Sequence, residues 1–108
     1  MDEAKLQALT AETHKALATF LNAEITAGLA CVELARTRIS FGNMNAATGF
    51  IQRAQWALDT VQRFRGRMSM LGGEDRKQVD DGIGELKEGV GQSWEKAFRD
   101  ANRRKTPP

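Results

Sequence analysis

At 108 residues, with 41% hydrophobic and 28% charged side chains, the chain suits one globular domain and excludes disorder as its main state. A formal net charge of +2 is too small to point to nucleic acid or a membrane surface by itself. Its single cysteine, Cys31, excludes an internal disulfide and fits a reducing compartment, with cytoplasmic as the default location.

The start, MDEAKLQALTAETHK, is acidic and amphipathic, so no signal peptide is expected. No run reaches the roughly 18–20 apolar residues of a membrane span, so no membrane partner is expected either. From Asp2 to about Arg38 there is no proline and good helix formers prevail. Leu6, Leu9, Ala16, Leu17, Phe20, Leu21, Ile25, Leu29, Val32 and Ala35 fall at three- and four-residue steps, which predicts one long amphipathic helix. Unbroken it spans about 55 Å, longer than the helices that follow. A break near Asn22 or Gly28 is the variant that would yield four helices.

Ser40-Phe41-Gly42-Asn43 predicts a turn, with Gly42 supplying left-handed backbone and Asn43 or Asn45 capping the next helix. The second helix is expected to run to about Met70 and stop at Leu71-Gly72-Gly73. It has the cleanest apolar repeat: Ala47, Ala54, Val61 and Met68 recur every seven residues, as do Phe50, Ala57, Phe64 and Leu71, and Met44, Ile51 and Leu58. Three adjoining lines make one wide core-facing stripe. On this pattern Phe64 is a core residue whose truncation to alanine costs about 3–5 kcal/mol.

Asp75-Arg76-Lys77-Gln78 has capping-box spacing and predicts a third helix through Val79, Ile83, Leu86, Val90, Trp94 and Ala101. Glu95/Arg99 and Lys96/Asp100 are spaced for surface pairs. Gly82, Gly84, Gly89 and Gly91 weaken it, at about 1 kcal/mol each against alanine. The first expectation is a helix that forms only because it packs; the alternative is that Gly82 and Gly89, seven apart beside Leu86, allow close helix approach while Gly84 and Gly91 face solvent. The expected architecture is therefore all-α: an antiparallel bundle of three long helices in one domain, residues 1–101, followed by a frayed basic tail, 102–108.

Between Cys31 and Leu58 the chain resembles one tetratricopeptide-repeat hairpin. Leu34-Ala35, Gly42, Ala47, Ile51 and Ala54 match the family pattern. Cys31 and Arg38 replace its aromatics, Asp59 replaces its proline, and there is no second copy. The resemblance implies a closely packed helical hairpin and a peptide- or protein-binding scaffold.

For chemistry, His14 and Cys31 are seventeen positions apart with no carboxylate cluster, a poor metal or nucleophile–base pair. No catalytic, cofactor or metal site is expected, hence no enzyme. Leu6 and Leu9, on the overlong first helix, and Trp56, off the core face of the second, are the candidate interaction surface of a homodimer. The alternative is a nucleic-acid-binding helical domain whose second helix contacts phosphates through Arg53, Arg63 and Arg67 (with Arg65) in the one locally basic stretch. The lack of interleaved aromatics and the near-neutral net charge weigh against it.

Overall fold

Asp2 opens the first helix by accepting a hydrogen bond from the Ala4 N–H, and Glu3 in the first turn suits the helix dipole. The structure, a computed structural model, describes residues 2–105. α1 runs Glu3–Ser40 without a break, so the four-helix variant with a bend near Asn22 or Gly28 does not occur. Gly28 is tolerated in mid-helix because it is a packing site, described below.

α1 stops where Gly42 takes φ 75°. The Gly42 N–H donates to Ile39 O (2.9 Å) and the Asn43 N–H to Arg38 O (2.9 Å), the paired bonds of a Schellman turn. Asn43 then caps α2 (Met44–Arg63), its side chain accepting from the Ala46 N–H at 3.2 Å.

α2 ends seven residues earlier than its repeat suggests. A 3-10 helix, Arg65–Met70, follows after Phe64. Arg67 N–H bonds Phe64 O (2.9 Å) and Leu71 N–H bonds Met68 O (3.0 Å), and this tighter winding still returns Met68 and Leu71 to the core. α3 (Gly73–Lys105) starts before the expected cap. Asp75 sits inside its first turn, where it meets the dipole as a charge rather than as the cap. The helix continues through Lys105; the end of the expected tail, residues 106–108, lies outside the described residues.

The core is built as the repeat predicts. Ala47, Ile51, Ala54 and Val61 of α2 are fully buried, against Leu21, Ile25, Val32 and Ala35 of α1 and Val79, Leu86 and Val90 of α3. Phe50 and Phe64 are only partly buried and pack on its margin. The Phe64 ring meets Phe20 edge-on, centroids 5.5 Å apart, under the Arg67 guanidinium.

α1 and α2 are antiparallel, and so are α2 and α3, which makes α1 and α3 a parallel pair. A Cβ built on Gly82 would lie 2.9 Å from Ile25 Cγ2, and one on Gly89 3.1 Å from Val32 Cγ1. Both glycines stand 57 residues after their α1 neighbours, which fixes the register. Gly28 answers from α1, with 2.9 Å to Leu86 Cδ1 and 3.1 Å to the Ala57 Cβ. The buried Ser93 continues the α3 line with another small side chain. Gly84 and Gly91 have nothing within 4 Å and face solvent.

With that register Gly73 stands level with Ala16 and Phe98 with Phe41. The first turns of α1 therefore project past one end of the bundle and the last turns of α3 past the other. The result is a rod of 74 × 18 × 18 Å.

Two outcomes are expected in urea unfolding. Ile51→Ala costs about 2–5 kcal/mol, whereas Phe64→Ala, at the margin, costs about 2 kcal/mol. Gly84→Ala stabilises by about 0.5–1 kcal/mol through helix propensity. Gly82→Ala destabilises, because Ile25 is β-branched and cannot swing its Cγ2 away. Equal effects at positions 82 and 84 would remove the close-approach account.

Candidate protein-interaction surface

α1 is apolar on two opposite faces, where the sequence reading merged its apolar residues into one. Leu21, Gly28 and Ala35 point into the bundle. Two residues further on is a turn of about 200°, so Ala23, Ala30 and Thr37 point away from it, and all three are exposed. Continued at steps of three and four, this outer stripe comprises Leu6, Leu9, Thr13 and Ala16 on the projecting turns. It continues with Phe20, at the α2 edge where its ring also meets Phe64, and with Ala23, Ala27, Ala30, Leu34 and Thr37 along the bundle. Every one of these side chains is exposed and none is charged.

The two threonines whose hydroxyls are described in detail do not make the stripe polar. Thr13 donates to Leu9 O (2.9 Å) and Thr37 to Glu33 O (3.1 Å), which leaves their methyl groups to present. An uninterrupted 3-4 spacing of this kind is the pattern by which one helix receives another.

Leu6 (54% exposed) and Leu9 (50%) lie on this stripe. Trp56 (66% exposed) does not; it stands on α2 beside it, lining a shallow hollow with Glu24, Ala27, Gly28, Cys31 and Arg53. Trp56 is level with Gly28, so about 30 Å of helix separates it from Leu6 and Leu9. The three expected surface residues are therefore not one patch within a chain. The stripe from Phe20 to Thr37 went unrecognised, although its signal, charge-free positions at alternating steps of three and four, was in the sequence.

The arginines are dispersed. Arg53 lies over the Phe50 ring (5.8 Å) and Arg67 over the Phe64 ring (5.6 Å). Because α2 ends at Arg63, Arg67 belongs to the 3-10 turn, and the continuous basic helix face is replaced by separate stacked side chains. Arg99 pairs with Glu95 on α3, and Arg36 with Glu33 on α1 at 2.8 Å. His14 and Cys31 share α1 but stand about 25 Å apart along it, too far to act together. No group of three or more His, Cys, Asp or Glu gathers among the described residues.

One sequence expectation needs correcting. α1 is long and apolar enough to cross a membrane by length and composition, since its alanines and threonines dilute only two glutamates, Glu24 and Glu33, between Ala16 and Leu34. In the bundle 28% of that stretch is buried, by the core-facing side of the same helix.

Comparison with protein-family models, with curated protein sequences and with solved structures finds no match.

Because Trp56 is held by little of its own bundle, Trp56→Ala should change unfolding free energy by no more than about 0.5 kcal/mol. A loss above 2 kcal/mol in chemical denaturation would make it a structural residue and remove it from the surface.

Proposed function

We propose that the chain is a non-enzymatic, cytoplasmic helical interaction module that works as a homodimer, with the outer stripe of α1 as its docking surface. The observation that carries this reading is the unbroken absence of charge along an exposed helix face. Solvated helix faces normally carry charge, and α2 and α3 follow that rule with Arg53, Asp59 and Arg63, and with Lys77, Glu85 and Lys87. An apolar face that spans a whole helix would lose water-exposed area on meeting a second helix, which is the usual driving force for association. The projecting turns support the same reading, since among the described residues α3 begins level with Ala16 and the exposed Leu6 and Leu9 lie beyond that level on α1.

The phosphate-binding alternative rests on Arg53, Arg63 and Arg67. Arg53 and Arg67 already lie over aromatic rings, and Arg67 belongs to the 3-10 turn whereas Arg53 and Arg63 are on α2.

Sedimentation equilibrium of the full chain tests the reading. The expected mass is twice the 11.9 kDa of one chain at micromolar concentration. Ala23→Glu with Ala27→Glu, both exposed and both compatible with a helix, should keep the circular dichroism and weaken association by about 100-fold or more. A wild-type monomer at every concentration, or one that floats with phospholipid vesicles instead of dimerising, would overturn the reading. A charged variant that stays dimeric would show the stripe is not the surface.

A further inference from the structure

Accepting that the α1 stripe is a docking surface, we infer that its occupant is the same stripe of a second copy, running antiparallel about a two-fold axis near Ala18. The projecting turns of each chain then lie along the body of the other. Three independent features of the chain select this arrangement.

The first is side-chain volume. About an axis at Ala18, Leu6 meets Ala30 of the second copy, Leu9 meets Ala27, Thr13 meets Ala23 and Ala16 meets Phe20. The symmetry repeats each pair. Every layer joins a larger side chain to an alanine, so the two helices can keep one separation throughout. A parallel pair would place Leu6 on Leu6, Phe20 on Phe20 and Ala23 on Ala23. Wide and narrow layers would then alternate, which knobs-into-holes packing cannot close without voids. Small residues on one helix facing large ones on the other also explain why the middle of the stripe holds alanines and its free end leucines.

The second is length. The overhang carries four stripe positions, from Leu6 to Ala16, and the body from Phe20 to Ala30 offers four to receive them. With this register the two bundles stand nearly end to end and meet through the exchanged helix ends. No part of one body is driven into the other.

The third is charge. The side of the stripe next to α2 carries Arg53, which is exposed and stacked over Phe50. The side next to α3 carries three carboxylates, Glu33, Glu85 and Glu88, against one cation, Arg36, which already pairs with Glu33, so the mouth of the α1–α3 groove is net acidic. Antiparallel pairing sets Glu3 of the second copy on the α2 side, level with Cys31 and Arg53. It sets Lys5 of the second copy on the α3 side, level with Glu33 and Glu88. Opposite charges therefore meet on both flanks. Shifting the pair by one heptad, to an axis between Leu21 and Asn22, would instead bring Glu12 against Glu33. Trp56, beside Ala27 in the hollow between α1 and α2, borders the track of the incoming helix and explains why an indole is kept on that surface.

Disulfide trapping in the full-length chain tests the register. In a Cys31→Ser background, Leu9→Cys and Ala27→Cys chains are mixed in a glutathione buffer, where linkage follows proximity. The expected product is the mixed Leu9–Ala27 disulfide dimer, at least about tenfold above either homodimer disulfide. A homodimer disulfide of the Leu9→Cys chain would establish a parallel pair and overturn the inference. Preferential linkage of Leu9→Cys to Leu34→Cys would establish the register shifted by one heptad and overturn it as well. All three cysteine substitutions, at Leu9, Ala27 and Leu34, are at exposed positions, so the bundle is preserved. Either of these outcomes leaves a dimer through the stripe, whereas a wild-type monomer in sedimentation removes the docking reading itself.

Discussion

The contact on which the molecule depends is the close passage of α3 along α1. Ile25 and Val32 lie directly over the backbone of Gly82 and Gly89, and Leu86 lies over Gly28. At these distances a Cβ on Gly82 or Gly89 would press on a β-branched neighbour, and one on Gly28 on Leu86 and Ala57. The helices therefore trade helix propensity on α3, about 1 kcal/mol per glycine, for dispersion contact along a seven-residue beat. This contact also makes the pair parallel and sets its register, and so decides how far each helix overhangs the other. The two projecting ends of the rod follow from that stagger.

A helix in this position has its inner face consumed by two neighbours, and an ordinary α1 would be charged on the rest. Instead its outward stripe is alanine, leucine, phenylalanine and threonine, with charges confined to its flanks. Two opposite apolar faces on one helix give it little overall polarity of direction, unlike α2, whose apolar residues collect on one side. The same property makes α1 resemble a membrane-crossing segment by composition. A helix required to pack on both sides meets the same constraint, and the charged residues at the edges of the stripe, Glu33 among them, suit protein contact better than lipid.

The hairpin of α1 and α2 rests on small residues. Ala35, Ala47 and Ala54 are fully buried and Gly42 makes the reversal at positive φ. These are the features that gave the sequence its likeness to a tetratricopeptide-repeat hairpin. The likeness extends to close helix approach, but the third helix runs beside α1 and closes a bundle, and no repeated unit stacks on it.

Local signals carried a good part of the description. The helical class, the glycine turn at 42, a cap at Asn43 or Asn45 and the buried α2 line of Ala47, Ile51, Ala54 and Val61 all follow from residue type and spacing, whereas the close approach at Gly82 and Gly89 is only the second of two readings that spacing allows, and the distances to Ile25 and Val32 decide for it. The first group depends on backbone sterics and on a period of 3.6, which a linear chain states directly. The end of α2 at Arg63, the start of α3 at Gly73 and the marginal place of Phe64 were not legible there, because capping and 3-10 winding yield to whichever geometry best returns Met68 and Leu71 to the core. Spacing does show a charge-free line of alternating three- and four-residue steps on α1, but not which of its two apolar faces the other helices cover. Residues at i and i+2 look alike in a list of apolar positions, and only the fixed direction of α2 and α3 says which of them has been covered and which is left exposed.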